Sequence, residues 1–410
     1  MSSGLTLLLI VAAAFLAAHV VFDLLARRLL IVSGAEYLFL GILLGPRVSG
    51  IISAGVLDGF GPFLVLAIGW MGATIGSHFE LARMVRIRGA FFETAFLEAA
   101  LSLAVISGLM IAVLVLVLGV PPDEAIVPAT VLGCIGAASS LSGLGVVARQ
   151  RLRRPVLRLV AVAGGMDAAV AIVGFGLLLC LAHPLPPGGV RPPTPTEWAV
   201  IGVALGTIGG LVFHLFLGGE RNPDRLFISL AGALTLASGA AAYVRLSPLL
   251  STMLIGAILV NTTRSRHEIR LVLHRVQGPL YVVLLIFAGA AWEPVGIEAV
   301  GPVVAFVLIR PFAKMGSARL AARLARTLSL VGPQWGTALL GQGSLAVAIA
   351  LNYRTYDNSA LSNLVFTAAI ASVLLTDLLS ARFVRAAAGR PEPGVVPRGT
   401  LAETPRAGGR

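Results

Sequence analysis

The sequence predicts an all-α polytopic membrane protein with about 13 transmembrane helices, and three observations carry that prediction. Of the 410 residues, 57% are hydrophobic and only 12% charged, with a mean hydropathy of +0.93; a soluble domain carries about 25% charged residues. Apolar stretches of roughly 20 residues, long enough to cross a bilayer, recur from end to end. The arginines between them alternate between rich and poor loops, the pattern left when positive charge is retained in the cytoplasm. In a soluble chain the net charge of +12 would suggest nucleic acid. Here position matters more than the sum, and no nucleic-acid partner is expected.

Hydropathy and helix breakers place the spans near 5–22, 35–50, 60–78, 89–119, 124–148, 156–183, 197–217, 224–243, 247–262, 273–292, 296–318, 331–352 and 360–380. The first has no positive residue before it and Arg27 and Arg28 after it, the reverse of a cleaved signal peptide, so it reads as a retained span. Alternate loops then carry Arg83, Arg86 and Arg88; Arg149, Arg151, Arg153, Arg154 and Arg158; Arg221 and Arg225; Arg264, Arg266, Arg270 and Arg275; and Arg319, Arg323 and Arg326. Six more arginines follow Ala381, while the intervening loops hold only Arg47, Arg191, Arg245 and Arg354. This asymmetry sets the N-terminus outside and the C-terminus in the cytoplasm. Cys134 and Cys180 lie far apart inside apolar helices, which fits core residues rather than a metal site or disulfide framework.

The sixth span, VAVAGGMDAAVAIVGFG at 160–176, carries one carboxylate, Asp167. A charge at bilayer depth costs at least about 2.5–3.5 kcal/mol on insertion scales, so such residues are usually functional, the alternative being a pair that holds two helices together. The eleventh span holds Arg310 and Lys314, the single lysine of the chain. A lysine, unlike an arginine, can lose its proton when desolvated, or it can snorkel to the surface. Glu93 and Glu98 on the fourth span could pair with Arg310, sense pH along an access funnel, or face solvent. His78 could titrate near neutral pH.

An internal likeness links GPFLVLAIGWM at 61–71 with GPLYVVLLIFA at 278–288, each preceded by a similar span, YLFLGILLGP at 37–46 and STMLIGAILVN at 251–261. With thirteen spans the two copies begin in opposite orientations, the inverted-topology repeat of secondary transporters. The fifth span contains Gly133, Gly136 and then AASSLSGLG to Gly145; the twelfth contains GTALLGQGSL with Gly341 and Gly343. Unwound backbone there, with Gly143 at the first break, needs protein or cavity partners. Ser139, Ser140, Ser142, Gln342 and Ser344 could supply them or coordinate a cation; close packing through small residues is the alternative. Gly143, Gly145 and Ala148 also match a dinucleotide fingerprint by chance, with no strand before them.

In order along the chain, LFLGILLGPRVSGII, ATIGSHFEL, AASSLSGLGVVARQ, GGMDAAVAI, LSPLLSTMLIGAILVN, RPFAKMGSARL and GQGSLAVAIAL resemble the cation:proton antiporter superfamily, in its sodium/hydrogen exchanger and potassium-efflux-like branch. The resemblance implies a homodimeric inner (plasma) membrane exchanger of a monovalent cation, Na+ or K+, for protons, with no cofactor and the lipid bilayer as its surroundings. It places the ion-binding carboxylate on Asp167 and its charge partner on Lys314. It departs from this chain at Met166, where the family has Asp, Asn or Gln, and at His78, where it has Glu. It further implies a scaffold and dimer domain (1–88 and 224–295), a core ion-translocation domain (89–183 and 296–385) and a bridging helix with its loops (184–223); the Pro-, Gly- and Arg-rich residues 386–410 read as a disordered cytoplasmic tail. Two alternatives stand beside it: a sodium-coupled organic anion carrier using Arg310 and Lys314 as ligands, and a transport-inactive sensor or scaffold, suggested by Met166. Neither a nucleophile–base pair nor a soluble domain points to an enzyme.

Overall fold

The computed structural model describes residues 35–139, 154–183, 193–217, 219–220 and 222–388; the predicted first span at 5–22 lies outside them. Within the described residues the ordered elements are helical. Helices α1 (Ala35–Leu44), α2 (Ala54–Gly59) and α3 (Gly61–Gly76) are followed by the single turn α4 (Leu81–Met84). Next come α5 (Gly89–Leu118), α6 (Pro122–Ala137), α7 (Arg154–Leu181), α8 (Pro195–Leu217), α9 (Pro223–Tyr243), α10 (Pro248–Thr262) and α11 (Arg266–Ala290). The chain ends with α12 (Ile297–Leu324), α13 (Leu328–Val331), a 3-10 turn at Trp335–Leu339, α14 (Ser344–Tyr356) and α15 (Ala360–Ala388). By length and composition α5, α7, α8, α9, α11 and α12 can each cross a bilayer, and α3, α10 and the first part of α15 are shorter apolar helices. This is a multi-pass membrane protein.

Local chemistry explains the ends. Proline opens α3, α6, α9 and α10 within the first two positions, where its missing N–H costs nothing. The Asn222 side chain caps α9 by accepting from the Asp224 and Arg225 amides, and Gly119 closes α5 at φ 64°, the left-handed cap that glycine adopts without strain. Three described helices clearly outrun their apolar stretches, among them α15, which runs to Ala388 rather than 380. Helix α11 starts at Arg266 rather than near 273, and α12 runs to Leu324 rather than 318. Their extra turns carry Arg266, Arg270, Arg319 and Arg323; hydropathy reports the bilayer's thickness, not where a helix stops.

The large outward side chains Leu116, Leu215, Phe216 and Ile228 are exposed, as a lipid-facing surface allows. Inside, close approach is set by glycine. A Cβ on Gly41 would overlap the Ile286 carbonyl, and one on Gly289 the Leu38 carbonyl, so α1 and α11 touch through backbone. Gly76 and Gly256 meet the Met253 and Ala73 carbonyls in the same way between α3 and α10. These two pairings match atom for atom when Gly76 is set against Gly289. The likeness read from sequence, with Gly61 against Gly278, is therefore one helical turn out of register. A helix slid by four residues presents nearly the same face, so the apolar pattern alone hides that slip.

Candidate functional site

The site forms where two helices stop short inside the protein. Helix α6 ends at Ala137, and Ala138 is extended at φ −60° and ψ 129°. On the other strand of the crossing, the 3-10 turn ends at Leu339 and α14 resumes only at Ser344. Gly343 between them sits at φ 67° and ψ −160°, a conformation only glycine holds without strain. Carbonyls at such breaks have lost their intrahelical donors, and hydrocarbon offers none in return.

Each break is stitched to the other and to α12. The Ser139 hydroxyl donates to the Leu339 carbonyl at 2.8 Å, and Gln342 Nε2 donates to the Ile135 carbonyl at 3.0 Å. From α12, Arg310 spreads its guanidinium over both: Nε donates to Gly136 O at 3.1 Å, Nη2 to Ala138 O at 3.1 Å and Nη1 to Leu340 O at 2.7 Å. One turn further, Lys314 Nζ donates to Ala137 O at 2.7 Å and to Asp167 Oδ2 on α7 at 2.8 Å, and lies 3.1 Å from Glu98 Oε1 on α5. Ser102, one turn along α5, donates to the same Glu98 oxygen at 2.8 Å. Helix C-terminal ends carry partial negative charge, so the two cations answer both the broken backbone and the two carboxylates.

Asp167, Glu98, Arg310, Lys314 and Gln342 are all 0% exposed. Charge at that depth persists only when paired. Yet Asp167 Oδ1 and Gln342 Oε1, both buried, have no hydrogen-bond partner among the described residues. A buried carboxylate oxygen without a donor costs about 1–3 kcal/mol or more.

The structure sorts the residues that the sequence singled out. Asp167, Lys314, Ser139, Gly341 and Gly343 lie at the crossing, and Ser140 and Gly143 fall outside the described residues. Glu98 is not on an access funnel but against Lys314. Its signal was present: Thr94, Ala95, Glu98 and Ser102 share the buried face of α5 at helical spacing. Arg310 takes backbone carbonyls where a carboxylate partner was expected. Glu93 is exposed on the opposite side of α5. His78 stands in the turn after α3, its Nε2 at 3.3 Å from His274 Nε2. Its ring lines a cavity.

That cavity has a volume of about 910 Å³. It runs from His78, Arg83, Arg86 and Arg88 past Arg158 to Gly165 and Met166, the residues directly before Asp167. Among the described residues, no group of three or more His, Cys, Asp or Glu side chains could hold a metal ion.

Helices that break at a shared, charged crossing define a class of polytopic membrane protein, and its architecture has a counterpart among solved structures. The fold is similar to that of the sodium proton antiporter MjNhaP1 from Methanocaldococcus jannaschii at pH 8, with a TM-score of 0.66 over 94% of this chain and 100% of that one. The two sequences are 15% identical, so the likeness is one of fold. No protein-family model matches the chain, and no curated protein matches it.

Proposed function

We infer that this protein exchanges a monovalent cation, Na+ or K+, for protons across the membrane by alternating access, with Asp167 as the carboxylate that carries either ion. One observation carries the reading: Asp167 is fully buried at the crossing of two broken helices, one oxygen on Lys314 and the other without a hydrogen-bond partner among the described residues. A single carboxylate in that position can hold a proton or a cation, and the two compete. Lys314 is the ammonium that Asp167 releases when a cation binds. The fold shared with a sodium proton antiporter supports the same reading, as does the placement of transporter sites at discontinuous helices near the midplane. On this reading α5 to α7 and α12 to α15 form the moving core, and α1 to α3 with α9 to α11 the scaffold and dimer face. The close backbone contacts of α1 with α11 and of α3 with α10 suit a rigid scaffold of two inverted copies.

A sodium-coupled carrier of organic anions would need free cations at the crossing. Lys314 directs its ammonium to Asp167, Glu98 and Ala137 O, and each Arg310 nitrogen that could fork onto a carboxylate already donates to a carbonyl. The test is cation-dependent proton flux in proteoliposomes. Wild-type protein acidifies or alkalinises the lumen when Na+ or K+ is added, and Asp167→Asn does not. Retained cation-driven proton movement in that variant would sink the assignment.

A further inference from the structure

We propose that the arginine-lined cavity beside the crossing is a binding site for a small phosphate-bearing anion, separate from the ion site at Asp167. Among the described residues, four guanidiniums line it, Arg83, Arg86 and Arg88 from the connection between α3 and α5 and Arg158 from α7, and no carboxylate does. Retention of positive charge on one side of a membrane explains why arginines occur in these loops. It does not explain why two segments far apart in the chain converge their arginines on one concave volume.

The carboxylate nearest Arg83 in sequence pairs with it and with α11. Glu80 receives Arg270 at 2.8 Å and Arg266 at 3.3 Å from α11, as well as Arg83 Nε at 2.7 Å. The turn that carries it is pinned by Asn261, which donates to Phe79 O at 2.7 Å and accepts from Leu81 N at 2.8 Å. Glu80 is thus held toward α11. Among the described residues, Arg86, Arg88 and Arg158 have no carboxylate partner.

A cleft lined by one sign of charge focuses its field and concentrates counterions; here it repels monovalent cations and gathers polyvalent anions. Guanidinium forks match phosphate oxygens two at a time. The volume of about 910 Å³ lies within the roughly 300–1,000 Å³ of small-molecule sites. Phe79, Phe91 and Phe92 add an apolar wall suited to the body that carries the phosphate. Two sources share this chemistry, a soluble nucleotide and the headgroup of an anionic phospholipid. An occupant would rest on Gly165 and Met166, directly over the approach to Asp167, but its binding does not depend on what Asp167 carries.

The experiment is thermal unfolding of the purified full-length protein at constant ionic strength. One arm adds ATP, with sodium sulfate as the control; the other reconstitutes the protein into phosphatidylcholine vesicles with and without phosphatidylglycerol. Wild-type protein is expected to show a saturable rise in unfolding temperature with at least one probe, as ligand binding to the folded state requires. Arg86→Gln/Arg88→Gln/Arg158→Gln should lose it. A response to ATP alone identifies a soluble source, and a response to phosphatidylglycerol alone a headgroup. If the triple variant does not fold, Arg158→Gln, whose side chain is exposed, should raise the half-saturating concentration about tenfold, the loss of one charged hydrogen bond. Equal shifts in wild type and variant, or no saturable shift with either probe, would overturn the proposal.

Discussion

Replacing Lys314 by methionine tests the centre of the site. In the wild type its ammonium is 0% exposed and satisfies Asp167 Oδ2 at 2.8 Å, Glu98 Oε1 at 3.1 Å and Ala137 O at 2.7 Å. Methionine fills the same volume but leaves two carboxylates and a carbonyl at bilayer depth without their common donor. Breaking a buried pair from one side costs about 3–5 kcal/mol. Unfolding entropy of about 2.1 cal/mol/K per residue gives this chain about 0.9 kcal/mol/K, so the unfolding temperature should fall by about 3–6 °C. The assay is intrinsic tryptophan fluorescence of the detergent-purified protein during a temperature ramp. Adding Glu98→Gln to Lys314→Met removes one stranded charge and should return about 1–3 kcal/mol of that loss, the size of a contact coupling. A Lys314→Met protein that unfolds within about 1 °C of wild type would refute the paired cluster. So would a double variant no more stable than Lys314→Met alone.

Two further outcomes follow from particular contacts. Arg310→Lys keeps the charge but cannot reach Gly136 O, Ala138 O and Leu340 O together, and each abandoned carbonyl costs about 1–3 kcal/mol. It should unfold below Ser139→Ala, which gives up one neutral bond worth about 0.5–1.5 kcal/mol; the reverse order would mean that the fork is not what joins the breaks. At the rim, hydrogen bonding from Arg270 holds the Glu80 carboxyl below its ordinary value of 4.5, against the opposing effect of burial and with help from Arg83 and Arg266. A depressed acid stabilises the fold above its unfolded value and loses that contribution as pH falls through the lower folded value. Glu80→Gln should therefore flatten the stability profile below about pH 4.5 and leave its slope around pH 7 unchanged, which unfolding temperatures across a buffer series would show.

Much of the fold was legible because a bilayer imposes length and composition on every span. The break before Ser344 was legible as well, since Gly341 and Gly343 are residues a continuous apolar helix has no use for; Gly143, the position the sequence offered for the other, lies outside the described residues, and α6 already ends at Ala137. What stayed hidden is set by three-dimensional partners. The sequence offered carboxylates for Arg310, but the need it meets is that of carbonyls released by two helices remote in the chain. Glu98 was visible as an intramembrane acid, yet only the packing of α5 against α7 and α12 brings it to Lys314 rather than to the cavity. The register of the internal likeness slipped by one turn for a related reason: glycines at four-residue spacing are interchangeable until the opposing carbonyls are known.

Glu98 also answers a chemical question raised by Met166. The residue before Asp167 is a thioether, partly buried beside the apolar cluster of Trp335 and Leu339, and it offers a hard cation nothing. The second carboxylate arrives instead from α5, against the same ammonium. On the exchange reading this changes what cation binding costs. When Na+ or K+ takes Asp167, Lys314 need not be left as a lone charge in a low-dielectric interior, because Glu98 at 3.1 Å and Ala137 O at 2.7 Å still hold it. In Glu98→Gln the ammonium loses its second carboxylate, so releasing Asp167 becomes dearer by about the 1.5–3 kcal/mol of a charged hydrogen bond. The half-saturating cation concentration for proton flux should then rise at least about tenfold, while Asp167 keeps the exchange running at saturating cation. An unchanged half-saturation would leave Glu98 a structural partner of Lys314 and return the question of how this chain dispenses with a polar residue at 166 to the far side of Asp167, where its second oxygen waits without a donor.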